Sequence, residues 1–237
     1  MLRSLTSLPS CLWLGAIFWL SALSPSIAQK SAPASGNSAS SLSIAKSQLD
    51  HNDLEAGEKT LWTILAGEPT NQGALTMLGV IRARQQRYPE AEALFNRVLQ
   101  LDPKSIVACR NLAHILLQEN RPDDAIREYQ QAIKLASQDS DLKIELAQLQ
   151  FEQGNFSVAL ATLDTIKSQH FPVAAVPLKA ASLLSVGRRA DALNLLPLVR
   201  GSSAAGLELD RVFVQANDAD ASLKTLALIQ PHSTADA

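Results

Sequence analysis

Four histidines, two cysteines and a few acid pairs are the side chains of this 237-residue chain with the clearest capacity for chemistry. His51, His114, His170 and His232 are too far apart for any two to grip a metal from one helical turn. No HExxH or CxxC is present. Asp50-His51-Asn52-Asp53 collects donors but lacks the glycine and distant glutamate of a calcium loop, so a polar turn between helices is expected there. Cys109 sits inside an apolar-periodic stretch and reads as a buried structural thiol. Asp123-Asp124 stands at a helix start, where carboxylates favour the dipole. No GxSxG occurs, and no glycine-rich phosphate loop follows a strand. The expectation is a chain without catalytic residues, bound metal or cofactor, and so not an enzyme.

The bulk composition bounds the class of protein. Apolar residues make up 46% of the chain and charged residues 19%, enough to bury a core and too apolar for disorder throughout. The net charge of −2 offers no footprint for nucleic acid or an anionic membrane. Aromatics are only 5%, and the abundance of Ala and Leu favours helix over sheet.

Residues 1–28 have the three parts of a secretory signal peptide. Arg3 gives a positive start, Cys11 to Leu23 is apolar, and Ser26-Ile27-Ala28 ends in small residues. The apolar run of about 13 residues is short of the ~20 that span a bilayer. Cleavage near Ala28 would release the chain to the periplasm or the exterior with no stable membrane insertion. A retained anchor is the alternative. Residues 29–40, rich in Ser and Ala, are expected to form a flexible linker, and 231–237 a disordered tail.

What must position any functional surface is a repeat. A fixed step along the chain keeps chemical type in several columns. Leu78 maps to Leu112 and Leu146, and Gly79 to Ala113 and Ala147. Ala91 maps to Ala125 and Ala159. Phe95 maps to Tyr129 and Leu163, and Val98 to Ala132 and Ile166. The small columns mark where two helices cross closely, and the large ones fill the space beside the crossing. Pro89 and Pro122 suit a first helical turn, whereas Pro197 should kink or shorten its helix.

These columns resemble the tetratricopeptide repeat, two antiparallel helices in about 34 residues. The resemblance covers about residues 38–200 and is strongest over 72–139. The early aromatic of that pattern is replaced by Leu75, Cys109 and Lys143. It implies an all-α solenoid of about five helix-turn-helix units, at 38–71, 72–105, 106–139, 140–172 and 173–202, plus a terminal pair over 204–230. The helical region as a whole is placed at 41–230.

The resemblance further implies a concave groove that binds a peptide or protein. Its lining is expected at Thr76, Val80 and Arg84; at Arg110, Asn111, His114 and Gln118; at Asp141, Gln148, Phe151 and Glu152; and at Leu184. Arg84, Arg110 and Asn111 would hold a partner's carboxylate or backbone, and Phe151 with Leu117 or Leu184 an apolar side chain. The role implied is a non-enzymatic scaffold or adaptor in the cell envelope. The alternatives are an accessory substrate-binding subunit of an enzyme complex, as in polysaccharide export or glycosyl transfer, and a self-associating repeat protein.

Overall fold

A computed structural model describes residues 36–229 apart from Ser168 and His170. The expected signal peptide, the first part of the expected linker and the expected tail lie outside the described residues, as does His232. Among the described residues, twelve α-helices follow one another and there is no strand. They are α1 Gly36–Asp50, α2 Leu54–Gly67, α3 Gln72–Arg84, α4 Tyr88–Leu101, α5 Ile106–Gln118 and α6 Pro122–Leu135. Then come α7 Ser140–Glu152, α8 Phe156–Asp164, α9 Val176–Ser185, α10 Arg189–Leu193, α11 Ser203–Gln215 and α12 Ala219–Ile229. The first helix starts at Gly36, inside the segment 29–40 read as a linker. Its early part is held by local bonds such as Ser43 Oγ to the Ser40 carbonyl at 2.9 Å.

Consecutive helices pair, and each pair packs on the next. The turn inside every pair has the same construction. One residue adopts a left-handed backbone: Asn52, Gln86, Asn120, Gly154, Gly187 and Asn217. Their spacing is even over the first four and shortens toward the end of the chain. The next N–H then returns to a carbonyl near the end of the first helix, Asp53 to Gln48, Arg87 to Arg82, Arg121 to Leu116, Asn155 to Gln150, Arg188 to Leu183 and Asp218 to Phe213, all at 2.8–2.9 Å. These bonds close the open carbonyl end of the first helix and reverse the chain. Side-chain caps begin α2, α3, α5, α7 and α11, from Asp53, Asn71, Ser105, Asp139 and Ser202.

In the first five pairs the crossing falls on the small columns. Ala45 faces Gly57, and the buried residues Gly79, Ala113, Ala147 and Ala180 answer Ala91, Ala125, Ala159 and Ala192. The last pair departs from the rule. Asp210 and Ser222 stand at the two crossing positions, and Ser222 Oγ donates to Asp210 Oδ1. Phe95, Tyr129 and Phe213 are the largest fully buried side chains among the described residues and fill the spaces beside the crossings. The fifth pair is irregular where Pro197 predicts it. α10 has only five residues and is followed by a 3-10 turn, Leu196–Val199.

Two features hold the first pairs tightly. The guanidinium of Arg82, 6% exposed, makes a two-pronged bond to Glu58 at 2.6 and 2.7 Å, tying α3 to α2. That bond holds the Glu58 carboxyl down at about 2, against the upward push of partial burial. At Gly79 a Cβ atom would come within 2.7–2.8 Å of the Phe95 ring, so the crossing admits no side chain there.

Two outcomes follow. Gly79→Leu should destabilise by about 2 kcal/mol or more in denaturant melts, with a smaller penalty in a Phe95→Ala background, where the ring no longer obstructs. An unchanged melt would refute the crossing. Glu58 has its folded value below the ordinary 4.5, so its stabilisation is present above pH 4.5 and is lost as pH falls toward about 2. Glu58→Gln should therefore lose less melting temperature than the unsubstituted chain as pH is lowered through that window.

Candidate functional site

The first helices of successive pairs approach each other directly, α1 to α3, α3 to α5 and α9 to α11. This closer layer is the inner face of the array. All the residues expected to line a groove lie on α3, α5, α7 or α9, in that layer.

Their side chains divide into two groups. In the first half the charged ones are engaged within the chain. Arg84 donates to the Leu49 carbonyl at 2.7 Å and so closes the end of α1. Arg110 makes a two-pronged contact with Glu145 across the α5–α7 seam, its Nε–Oε2 arm at 3.0 Å. His114 Nε2 lies 3.5 Å from the same carboxylate, and its ring meets Tyr129 edge-on at 5.9 Å between centroids. Burial first, and then the negative charge of Glu145, pushes the Tyr129 hydroxyl well above its usual range, so it stays protonated. Glu145 thus joins Arg110 and His114 into one polar set. Sequence reasoning missed it because it lies one position beyond the repeat step from Arg110. The two arginines expected to hold a partner's carboxylate already have acceptors in the fold.

Thr76, Val80 and Asn111 are half-buried, and Val80 packs into the core between two pairs. Gln118 and Asp141 are exposed near opposite ends of their helices. Gln148 Nε2 donates to Glu152 Oε1 at 2.7 Å along α7.

In the second half apolar side chains join the polar ones on the inner face. Phe151 packs against Phe156 with ring centroids 5.0 Å apart. Phe151 and Leu184 then share a cavity of about 370 Å³ with Ala181, Ser185, Val212, Gln215 and Ala216. Three first helices, α7, α9 and α11, build its walls. The sequence pairs Phe151 with Leu117 or Leu184 and predicts a terminal helical pair over 204–230, but gives no sign that α11 joins this wall. The shortened interval before Asn217 displaces that helix from the regular step.

The chemical candidates take ordinary structural places. Cys109 is buried, and burial followed by the nearby Glu128 carboxylate pushes its thiol up to about 11. Asn52 forms the left-handed turn and Asp53 caps α2 through the Ala56 N–H at 3.1 Å, so this stretch is a turn. Among the described residues, no group of three His, Cys, Asp or Glu side chains gathers to hold a metal, and no helix is long and apolar enough to cross a membrane.

Known proteins share this geometry. The tetratricopeptide-repeat family profile matches residues 82–130 and 116–182. No curated relative matches the sequence. Among solved structures, a tetratricopeptide repeat protein from Parabacteroides merdae is similar, with TM-score 0.65 and 18% identity, over 83% of this chain and 81% of that one. PilW, a type IV pilus biogenesis factor, is similar with TM-score 0.65 and 18% identity, over 84% and 96%. YrrB, a TPR protein with an unusual peptide-binding site, gives TM-score 0.55 and 17% identity, over 79% and 91%. With a like-built turn in every helix pair and these matches, residues 82–182 carry tetratricopeptide repeats and the array around them has the fold of a tetratricopeptide-repeat solenoid.

Proposed function

We propose that this protein is a non-enzymatic interaction scaffold of the cell envelope, which takes a peptide segment of a partner protein along the inner face of its array. The observation that carries the reading is the open cavity between α7, α9 and α11. It has apolar walls from Phe151, Leu184, Val212 and two alanines, and polar atoms at Ser185 and Gln215. That is the composition of a seat for one apolar side chain with hydrogen bonds for the backbone beside it. The engaged pairs of the neighbouring surface, Arg110 with Glu145 and Gln148 with Glu152, give it a fixed polar texture. A peptide-binding site is named for YrrB, and PilW is a precedent for this fold in pilus biogenesis. The signal-peptide pattern of residues 1–28 supports the envelope setting.

Self-association is the second reading. Leu207, Val214 and Leu223 on α11 and α12 are 54%, 59% and 68% exposed, apolar surface that a second copy could cover. A mass that rises with concentration in light scattering would favour it.

Affinity capture from envelope extract tests the first reading. The unsubstituted chain should recover a partner that Leu184→Glu and Phe151→Ala both lose. A peptide taken from that partner should bind these variants weaker by about 2 kcal/mol, roughly thirtyfold. Equal recovery by all three baits would remove the cavity from the binding surface.

A further inference from the structure

At the opposite end of α7 from Phe151, the array buries a cation. The equivalent positions of neighbouring pairs hold Leu75, Cys109 and Val176, all buried. In the fourth pair the position holds Lys143, 8% exposed. Its ammonium donates to the Thr165 carbonyl at 3.2 Å. Among the described residues, no carboxylate oxygen comes within 4.0 Å of it. An ammonium has three donors and a full charge, and a main-chain carbonyl answers one donor and only part of the charge. A buried cation without an anion is costly, and an apolar side chain would serve this column better for stability alone.

The same lysine lines a cavity of about 340 Å³, with Gln138, Ser140, Thr165, Ile166 and Lys167. Lys167 brings a second ammonium, again with no carboxylate within 4.0 Å among the described residues. The neighbouring acid, Asp139, is occupied. Its Oδ1 accepts the Asp141 and Leu142 N–H groups at 3.0 and 3.1 Å and caps α7. Two lysines therefore line a space beside which Asp139 Oδ1 caps the helix. Gln138 and Ser140 add hydrogen-bonding groups, and Ile166 adds an apolar wall.

We propose that this cavity binds a small aliphatic dicarboxylate, or the paired carboxylates at the end of an acidic peptide. Lys143 and Lys167 set the ligand's charge at two. The volume exceeds what an inorganic ion fills, and Ile166 gives the carbon chain a surface to lie on. Lysines act as point charges without the planar fork of arginine, so they suit two separated carboxylates. The site is distinct from the inner-face cavity and does not depend on it.

Calorimetric titration of the full chain with glutarate, at fixed ionic strength, tests the assignment. Saturable binding is expected. It should weaken at least roughly tenfold in Lys143→Met, the loss of one charge-assisted contact. Lys143→Met should melt at or above the unsubstituted temperature, because it restores the apolar column, and a merely structural lysine would not show that split. Lys167→Met, at an exposed position, should also weaken binding and carries the test if Lys143→Met fails to fold. Leu184→Glu should bind glutarate normally. A peptide ending in glutamate that binds more tightly than glutarate would place the source in a protein chain, and weaker binding would place it in a free acid. A flat titration, equal binding by both lysine variants and the unsubstituted chain, or inorganic phosphate binding as tightly as glutarate would overturn the proposal.

Discussion

Two antiparallel helices that share a wall cannot both carry bulk at the point where they cross. This constraint organises the array. Gly79 lies against the Phe95 ring with no room for a methyl, and at the equivalent positions of the next pairs Ala113, Ala147 and Ala180 carry nothing larger than one. Once the crossing is close, the aromatic or aliphatic side chain next to it fills the only space left. The left-handed turn residue then fixes where the second helix begins. Pairs built this way stack with the same face inward, and that face is what the chain offers to other molecules.

Buried polar groups mark where pairs are individualised. Arg82 and Glu58 bind α3 to α2 with directional bonds. Gln48 with Thr60 and Gln150 with Thr162 provide a milder link inside their own pairs, at 2.9 and 2.7 Å. In the last pair a hydrogen bond between Ser222 and Asp210 takes the place of the small–small crossing. Close packing is permissive about sliding along the helix axis, whereas a hydrogen bond is not. Each polar link therefore sets register where the small columns alone would leave it loose.

The repeat and the helix pairs were legible in the sequence because the crossing constraint writes Gly and Ala at a fixed interval. Pro89, Pro122 and Pro197 likewise announced helix starts and an interruption. The site was legible by column and not by contact. Stepping from one inner residue to the next found Phe151 and Leu184, which meet in one cavity. It did not find Glu145, because a side chain reaching across a seam contacts a position just off the repeat. Nor did it foresee that Arg84 would be drawn to the Leu49 carbonyl, since a main-chain acceptor leaves no mark in residue type. Val212 and Gln215 escaped because the interval shortens before the last turn.

The inner-face cavity sits on a seam in the array. α8 ends at Asp164 and α9 begins only at Val176, so the regular stacking of full-length helices is interrupted there. Phe151 belongs to the side before the interruption, while Leu184 and Val212 belong to the side after it. A guest between them would act as a wedge in a spring. Its size would set the angle between the two halves, and the bending stiffness of the seam would set how well guests of different size are tolerated. Selectivity at such a place is a matter of elasticity as much as of surface chemistry.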